Sequence, residues 1–250
     1  MNPIIYTYAE RNGSSRKLAE TLNCPRIFRD SDYQYKKGDL IINWGSGHIP
    51  NWWSSAAERN CLNHPHSIDL SVDKRRMLVA LMRGGAAIPF FTTSMDEARA
   101  ISTEGHRVYC RTEVEGHDGS GIVIARKPSE IVPAKLYTQY VQTDREFRVH
   151  IFKGRVIFVT EKKQQANESG HGDQVRAGSD WFMAWCDAAP KVVEAAAVVA
   201  QQALGLDFAG VDVGYNSKRG TAVVFETNTA PGSFGRVTLD RYVSAIRSIL

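Results

Sequence analysis

Two β-rich runs near the C-terminus constrain the fold of this chain more than any other feature. Residues 208–215 and 221–227 are rich in valine, and the polar residues between them predict a turn, so the two runs are expected to pair as a β-hairpin, here called the carboxylate hairpin. Residues two apart in a strand point to the same face, so Glu226 and Asn228 project together, and the pairing can bring Asp212 beside them. A fold that buries this hairpin must also neutralise its two carboxylates.

These three side chains have the chemistry of a magnesium site. Two carboxylates and an amide oxygen are hard ligands of the kind that hold Mg²⁺ together with triphosphate oxygens. The alternative is that Asp212, Glu226 and Asn228 form the solvent-facing side of an ordinary hairpin. The valines in both runs indicate that the strands are well buried, which favours the metal site.

A second predicted hairpin, the cationic hairpin, folds about the Lys-Gly dipeptide at 153–154. Two residues that end in glycine between β-runs are typical of a tight turn. In the simplest register Arg148 lies near Val159 and shares a face with Lys163, whereas a β-bulge would place Lys162 on that face instead. Arg148 and one of these lysines could neutralise phosphate oxygens during phosphoryl transfer; the alternative is a solvated hairpin face.

A loop at 116–121 contains three glycines between two predicted strands. Its backbone N–H groups could close over phosphates. The spacing is neither the strand–loop–helix pattern of a P-loop nor the dinucleotide-binding turn, so those two classes of nucleotide site are excluded.

Composition favours an ordinary globular protein. Hydrophobic residues make up 43% and charged residues 23% of the chain, and the net charge of +4 suits an anionic ligand such as a nucleotide without requiring nucleic acid. The four cysteines lack the paired spacing of zinc or redox sites, which predicts a cytoplasmic setting. No apolar run is long enough to span a bilayer, so no membrane association is expected.

Taken in order, the segments 205–212 and 224–232 resemble the G-L-x-x-x-G-V-D and E-x-N-x-x-P-G signature of the ATP-grasp superfamily, in the branch that contains glutamate and peptide ligases. In that family the Asp, Glu and Asn hold magnesium ions, which implies Asp212, Glu226 and Asn228 here. The resemblance runs from about residue 67 to 235.

The resemblance also implies a set of nucleotide and substrate contacts. The phosphates would meet Arg148 with Lys163 or Lys162, and Arg236 is a candidate for the acyl group, with a plain surface arginine as the alternative. The remaining contacts would be Lys74 at the start of a helix, Arg111 where the family often has a lysine, His117, Gly119, Ser120 and Gly121 in the glycine-rich loop, and Gln139, Tyr140 and Val141 against adenine, largely through backbone groups.

The implied fold combines α/β and α+β parts. A short Rossmann-like α/β lobe at 1–66 would precede two α+β subdomains, A at 67–138 and B at 139–250, that clasp ATP, with the magnesium site in subdomain B. Residues 1–66 match the family only as the lobe that ordinarily precedes the two subdomains.

The implied activity is a Mg²⁺- and ATP-dependent ligation of a carboxylate to an amine through an acyl phosphate. An ATP-grasp kinase or a carboxylate–thiol ligase would share the same nucleotide site and remains an alternative. A non-catalytic nucleotide-binding protein would be expected to lack a magnesium ligand, and all three are present. The carboxylate and the amine are open, with an amino acid, a peptide or a protein tail all compatible, and so is the oligomeric state.

Overall fold

Three sheets, which follow one another along the chain, organise the protein. The computed structural model describes residues 1–115, 121–164, 181–232 and 235–250, with the backbone alone at 164 and 181. Within these residues no helix has the combination of length and apolar character that crossing a membrane requires.

The N-terminal lobe is a parallel α/β unit. Its sheet has the strand order β2-β1-β3-β4, and every strand pair in it is parallel. The helix α1 starts where the Asn12 side chain accepts a hydrogen bond from the Ser15 N–H. The elements are β1 (Asn2–Thr7), α1 (Gly13–Leu22), β2 (Arg26–Ile27), β3 (Asp39–Trp44), α2 (Ser55–Arg59) and β4 (Cys61–Leu62).

The second sheet is antiparallel, with the order β5-β8-β6-β7. It buries its own small core, in which Val108, Cys110 and Tyr137 pack against Ala98 of α5. The elements are α3 (Pro65–Val72), α4 (Lys74–Arg83), β5 (Phe91–Thr92), α5 (Met95–Thr103), β6 (Val108–Arg111), β7 (Ile122–Ala125) and β8 (Leu136–Gln139).

The third sheet is also antiparallel, with the order β11-β10-β9-β12-β13, and it contains both predicted hairpins, β9–β10 and β12–β13. One face is covered by the apolar side of α6, which makes the main core of the protein. The elements are β9 (Arg145–Phe152), β10 (Arg155–Gln164), β11 (Trp181–Trp185), α6 (Lys191–Ala203), β12 (Phe208–Asn216), β13 (Thr221–Asn228) and α7 (Arg236–Arg247).

The helices α3 and α4 pack in the same core as α6 and the third sheet. Ile68, Met77 and Leu81 of these helices lie in that core with Val193 and the inward residues of β9 and β12, and Leu136 of the second sheet reaches it too. An amphipathic helix shows which of its sides is apolar but not which element covers that side, so the sequence alone does not predict this packing.

The N-terminal lobe is fixed to the third sheet by a shared aromatic core. Trp44 at the end of β3 stacks on Phe208 of β12, with ring centroids 5.1 Å apart, and meets the edge of Tyr242 of α7 at 5.3 Å. All three rings are completely buried. The lobe and the third sheet therefore share one core across the domain boundary.

Candidate functional site

The carboxylate hairpin places its three predicted metal ligands on one face of the third sheet, as expected. Asp212 of β12 lies directly opposite Glu226 of β13, and Asn228 lies opposite Gly210. The Asn228 amide nitrogen donates to the Gly210 carbonyl at 3.3 Å, which leaves its amide oxygen for another partner. A bulge at Phe225 changes the register between Glu226 and Val224, so that Val224 turns into the main core while Glu226 faces away from it.

The cationic hairpin contains a bulge that overturns the expected pairing. Val156 pairs with Ile151 but Phe158 pairs with His150, so Ile157 is the additional residue and Arg148 lies opposite Thr160 instead of Val159. Every residue beyond the bulge is shifted to the other face of the sheet.

The bulge exchanges the faces of the sheet on which Lys162 and Lys163 lie. Lys162 shares the face of Arg148, and its ammonium group contacts the Glu146 carboxylate at 3.0 Å. Lys163, which the simplest register favoured, lies on the opposite face, is 54% exposed and approaches Glu161 at 3.6 Å. The expected placement of Lys163 beside Arg148 is therefore wrong, whereas Lys162 occupies that position.

Arg148 and Asp212 form a two-pronged ion pair across neighbouring strands. Nε and Nη2 of the guanidinium donate to the two carboxylate oxygens at 2.6 and 2.7 Å. The Asp212 side chain is only 5% exposed. Burial lowers the pKa of Arg148, but the neighbouring Asp212, Glu226 and Glu146 raise it by more, so the net pKa is raised and the guanidinium stays charged.

A second ion pair joins Glu226 to the start of α4. Lys74 is the first residue of that helix, where Asp73 caps two N–H groups and the Lys74 N–H donates to the Val114 carbonyl at 3.0 Å. Its ammonium group reaches Glu226 at 2.5 Å. Burial raises the pKa of Glu226, but Lys74 and then Arg148 lower it more strongly, to about 2. Glu226 is therefore ionised at neutral pH, as a metal ligand must be.

Arg111, the last residue of β6, faces the same cluster. Burial lowers its pKa, and the charge of Glu226 opposes that shift. An arginine of the second sheet thus lies within electrostatic reach of a carboxylate of the third, which is where a phosphate clamp between the two sheets would be expected.

The glycine-rich loop lies largely outside the described residues. His117, Gly119 and Ser120 fall there, so their predicted contacts stay predictions. Gly121 is described: its carbonyl accepts from the Thr112 N–H at 2.8 Å, and its φ of +68° suits glycine. This hydrogen bond closes the base of the loop.

The segment expected to contact adenine follows β8. The N–H groups of Gln139 and Tyr140 already donate to the carbonyls of Phe90 and Arg107, each at 2.9 Å. If this segment recognises a base through its backbone, the donor must therefore come from Val141, with carbonyl groups as the acceptors.

Arg236, the remaining predicted site residue, is the exposed first residue of α7. It forms no hydrogen bond or ion pair with any other described residue, so the structure does not bring it to the cluster. Its proposed contact with an acyl group stays a prediction.

Two side chains on the site face were not predicted as site residues. Glu146 is buried and adds a third carboxylate, which the alternation in β9 would have revealed. His150 lies two residues beyond Arg148, with Nδ1 3.1 Å from the Tyr242 hydroxyl. Burial and the charge of Arg148 lower the pKa of His150 to about 3, so the ring is neutral.

Comparison with known proteins identifies this arrangement of sheets. At 15% identity, the chain superposes on the ATP-grasp ligase PsnB complexed with a minimal precursor with a TM-score of 0.67, covering 100% of this chain and 99% of that one. D-alanine–D-alanine ligase from Bacillus anthracis gives a TM-score of 0.65 at 14% identity over 99% and 98% of the two chains. The chain has the ATP-grasp fold.

Other comparisons agree with the ATP-grasp fold. The macrocyclase MdnC from Microcystis aeruginosa, bound with the precursor peptide MdnA, matches at a TM-score of 0.61 with 13% identity over the whole of both chains. A Haemophilus influenzae protein named "Probable alpha-L-glutamate ligase" is 26% identical over 186 residues, which are 69% of this chain and 59% of that relative. The chain thus spans less than two thirds of this curated relative. No protein-family model matches it.

The charges of the site fit a metal ion with a polyphosphate. Four cations face three carboxylates on and above this sheet face: Lys74, Arg111, Arg148 and Lys162 against Glu146, Asp212 and Glu226. In the part of the chain that the structure describes, no group of three His, Cys, Asp or Glu side chains could hold a metal, so the metal site would need the Asn228 amide with the two carboxylates. Oxygen donors of this kind suit Mg²⁺.

Proposed function

We propose that the protein is an ATP-dependent ligase that joins a carboxylate to an amine and requires Mg²⁺. One observation carries the proposal: on a single face of the third sheet of an ATP-grasp fold, the guanidinium of Arg148 and the carboxylates of Asp212 and Glu226 lie in one row across three adjacent strands. The four similar proteins described above are named as ligases or, for MdnC, a macrocyclase, which supports amide-bond formation over phosphorylation.

In this proposal Asp212, Glu226 and Asn228 hold Mg²⁺, which neutralises charge on the triphosphate. Both carboxylates already have cationic partners, Arg148 at 2.6 Å and Lys74 at 2.5 Å. On binding of the metal and nucleotide these partners would be exchanged: Asp212 and Glu226 would hold the metal, and Arg148 and Lys74 would contact phosphate oxygens. The exchange keeps every buried charge paired, which limits its cost.

The remaining cations would bind the phosphates that move. Lys162 lies two residues beyond Thr160, which is opposite Arg148, and its side chain is 18% exposed, so it can reach a ligand above the sheet. Arg111 would approach from the second sheet, and the segment 139–141 would contact the base. Fixed cations of this kind stabilise charge as it develops in phosphoryl transfer.

The reaction proceeds in two steps. A carboxylate oxygen of the first substrate attacks the γ-phosphorus, the bond to the β–γ bridging oxygen breaks, and ADP leaves. The amine nitrogen of the second substrate then attacks the acyl carbon, inorganic phosphate leaves, and the nitrogen loses a proton to give the amide. The substrates would be sought among amino acids, peptides and protein tails.

The decisive experiment measures phosphate release from Mg-ATP against pooled carboxylates and amines, with products identified by mass spectrometry. We expect ADP, phosphate and a new amide, all lost in Glu226→Ala and retained in Asp96→Ala, which removes an exposed carboxylate of α5. A stable phosphorylated product without an amide would identify a kinase. Absence of Mg²⁺-dependent ATP binding would refute the proposal.

A further inference from the structure

A surface groove runs along the outer side of α4, on the side of the helix away from the main core. Its volume is about 600 Å³. The floor is apolar and half-buried, formed by Leu70, Val79, Ala80 and Ala203. At one end Gly84 packs so closely on Ala203 that a Cβ at position 84 would lie 2.3 Å from the alanine Cβ. The groove is therefore bounded by the junction of α4 with α6.

Arginines line the rim of this groove in a regular pattern. Arg75, Val79 and Arg83 are four residues apart, so they lie along one stripe of α4 with the apolar side chain between the two charges. At a rise of 1.5 Å per residue the two arginines are about 12 Å apart along the helix. Arg76 adds a third charge on the neighbouring stripe.

Two of these arginines are available to a ligand. Arg76 is held by Asp69 at 2.7 Å. Arg75 lies 3.8 Å from Asp73, whose other oxygen accepts two backbone N–H groups, and Arg83 makes no ion pair with any described residue. The groove thus presents Arg83, without an ion pair to any described residue, and Arg75, in a long ion pair only, on either side of an apolar floor.

We propose that this arginine groove binds an acidic segment of a partner polypeptide in extended form. The segment would place two carboxylates on either side of an aliphatic side chain that contacts Val79 and Leu70. In an extended chain, residues four apart are about 13 Å apart, which matches the separation of Arg75 and Arg83. Nucleic acid is the poorer match, because none of the described residues that line the groove has an aromatic ring for base stacking.

This inference goes beyond the proposed ligase function and does not depend on it, because binding in the groove requires no catalysis. The probe is the fluorescein-labelled peptide Gly-Glu-Ala-Leu-Ala-Glu-Gly amide, measured by fluorescence anisotropy. We expect saturable binding that weakens as salt increases, since the charged rim is exposed to solvent. The same peptide with both glutamates replaced by lysine should not bind.

Charge reversal gives the sharper test. Arg83→Glu should weaken binding about two- to fivefold, as expected for one exposed ion pair. The double variant with Arg75→Glu should bind the lysine peptide better than the glutamate peptide. The matched control is Arg99→Glu, an exposed arginine of α5 outside the groove, which should leave binding unchanged. ATP binding by Arg83→Glu, measured in parallel, separates this inference from the ligase proposal.

Several outcomes would overturn the inference. One is the absence of binding up to about 1 mM peptide, the weak end of measurable affinity. Another is equal loss of binding in the Arg99→Glu control. Displacement of the peptide by a single-stranded DNA oligomer that binds more tightly would assign the groove to nucleic acid. A dimer in sedimentation velocity that Val79→Asp dissociates would assign it to a second copy of the chain.

Discussion

The side chains of Asn63 and Asp207, which are 144 residues apart in sequence, each accept a hydrogen bond from the other residue's backbone N–H. The Asn63 N–H donates to the Asp207 carboxylate at 2.7 Å, and the Asp207 N–H donates to the Asn63 side-chain oxygen at 2.7 Å. The same Asn63 side chain also bonds both the N–H and the carbonyl of Phe208. One buried side chain thus joins the end of β4 in the N-terminal lobe to the start of β12 in the third sheet.

Asn63→Ala should therefore destabilise the whole protein. It leaves three backbone groups without partners, two of them on the buried Phe208, and the expected loss in free energy of unfolding is about 3 kcal/mol. Because Asn63 has φ +60°, alanine also adds backbone strain. Asn63→Gly removes that strain and should recover only part of the loss. Urea denaturation measures the stability of both Asn63 variants, and the exposed Asn51→Ala is the control. Equal stability of all three variants would show that the Asn63 side chain does not stabilise the junction of β4 and β12.

Removing Lys74 should have opposite effects on the affinity of the protein for a metal ion and for ATP. Lys74→Met frees Glu226 from its ammonium partner, so Mn²⁺ without nucleotide should bind about tenfold more tightly, as expected for the loss of a charged hydrogen bond. ATP should bind more weakly, because a phosphate partner is lost. Electron paramagnetic resonance of free Mn²⁺ measures the affinity for the metal, and titration calorimetry measures the affinity for ATP. Lys218→Met, in the exposed turn of the carboxylate hairpin, should change neither, and weaker Mn²⁺ binding in Lys74→Met would refute the exchange of partners.

The two adjacent lysines of β10 offer a matched pair. Lys162→Met should lower kcat/KM about 100- to 1000-fold, the usual effect of removing a group that stabilises transition-state charge. Lys163→Met should have little effect, because its side chain lies on the opposite face and is more than half exposed. Steady-state phosphate release with the identified substrates gives kcat/KM for both variants. Unfolding curves of Lys162→Met show whether Glu146, which loses its lysine partner, destabilises the fold. A larger loss in Lys163→Met would contradict the observed register.

His150 should make the protein sensitive to acid. Its pKa in the folded protein is about 3, below the ordinary value of 6.5, so the unfolded chain binds the extra proton first. The free energy of unfolding should therefore fall as pH decreases from about 6.5 towards 3. In His150→Gln this dependence should be weaker, whereas the exposed His106→Gln should retain it. Identical pH profiles for both variants would show that His150 is not the responsible group.

The sequence was sufficient to predict features that depend on local alternation. The alternation of side chains along a strand predicted that Asp212, Glu226 and Asn228 share one face of the sheet, and their positions in the paired strands confirm it. The same alternation predicted the wrong face for Lys163, because it does not reveal the bulge at Ile157. That bulge depends on how Phe158 and its neighbours pack against other elements. The link between Asn63 and Asp207 carries no sequence signal at all, since it joins residues from different units of the fold.

The way the core is divided determines which part of the protein can move. The N-terminal lobe, α3, α4 and the third sheet share two continuous cores, whereas most buried residues of the second sheet pack in a separate small one and Leu136 meets the larger core. In the proposed ligase, the strands of the second sheet and α5 are then the part that would move to open the nucleotide cleft, and Arg111 at the end of β6 would move with them relative to Lys74. Admission of ATP and escape of ADP in the proposed ligase would then depend on the stiffness of the two short connections 84–90 and 140–144 rather than on the stability of the larger body.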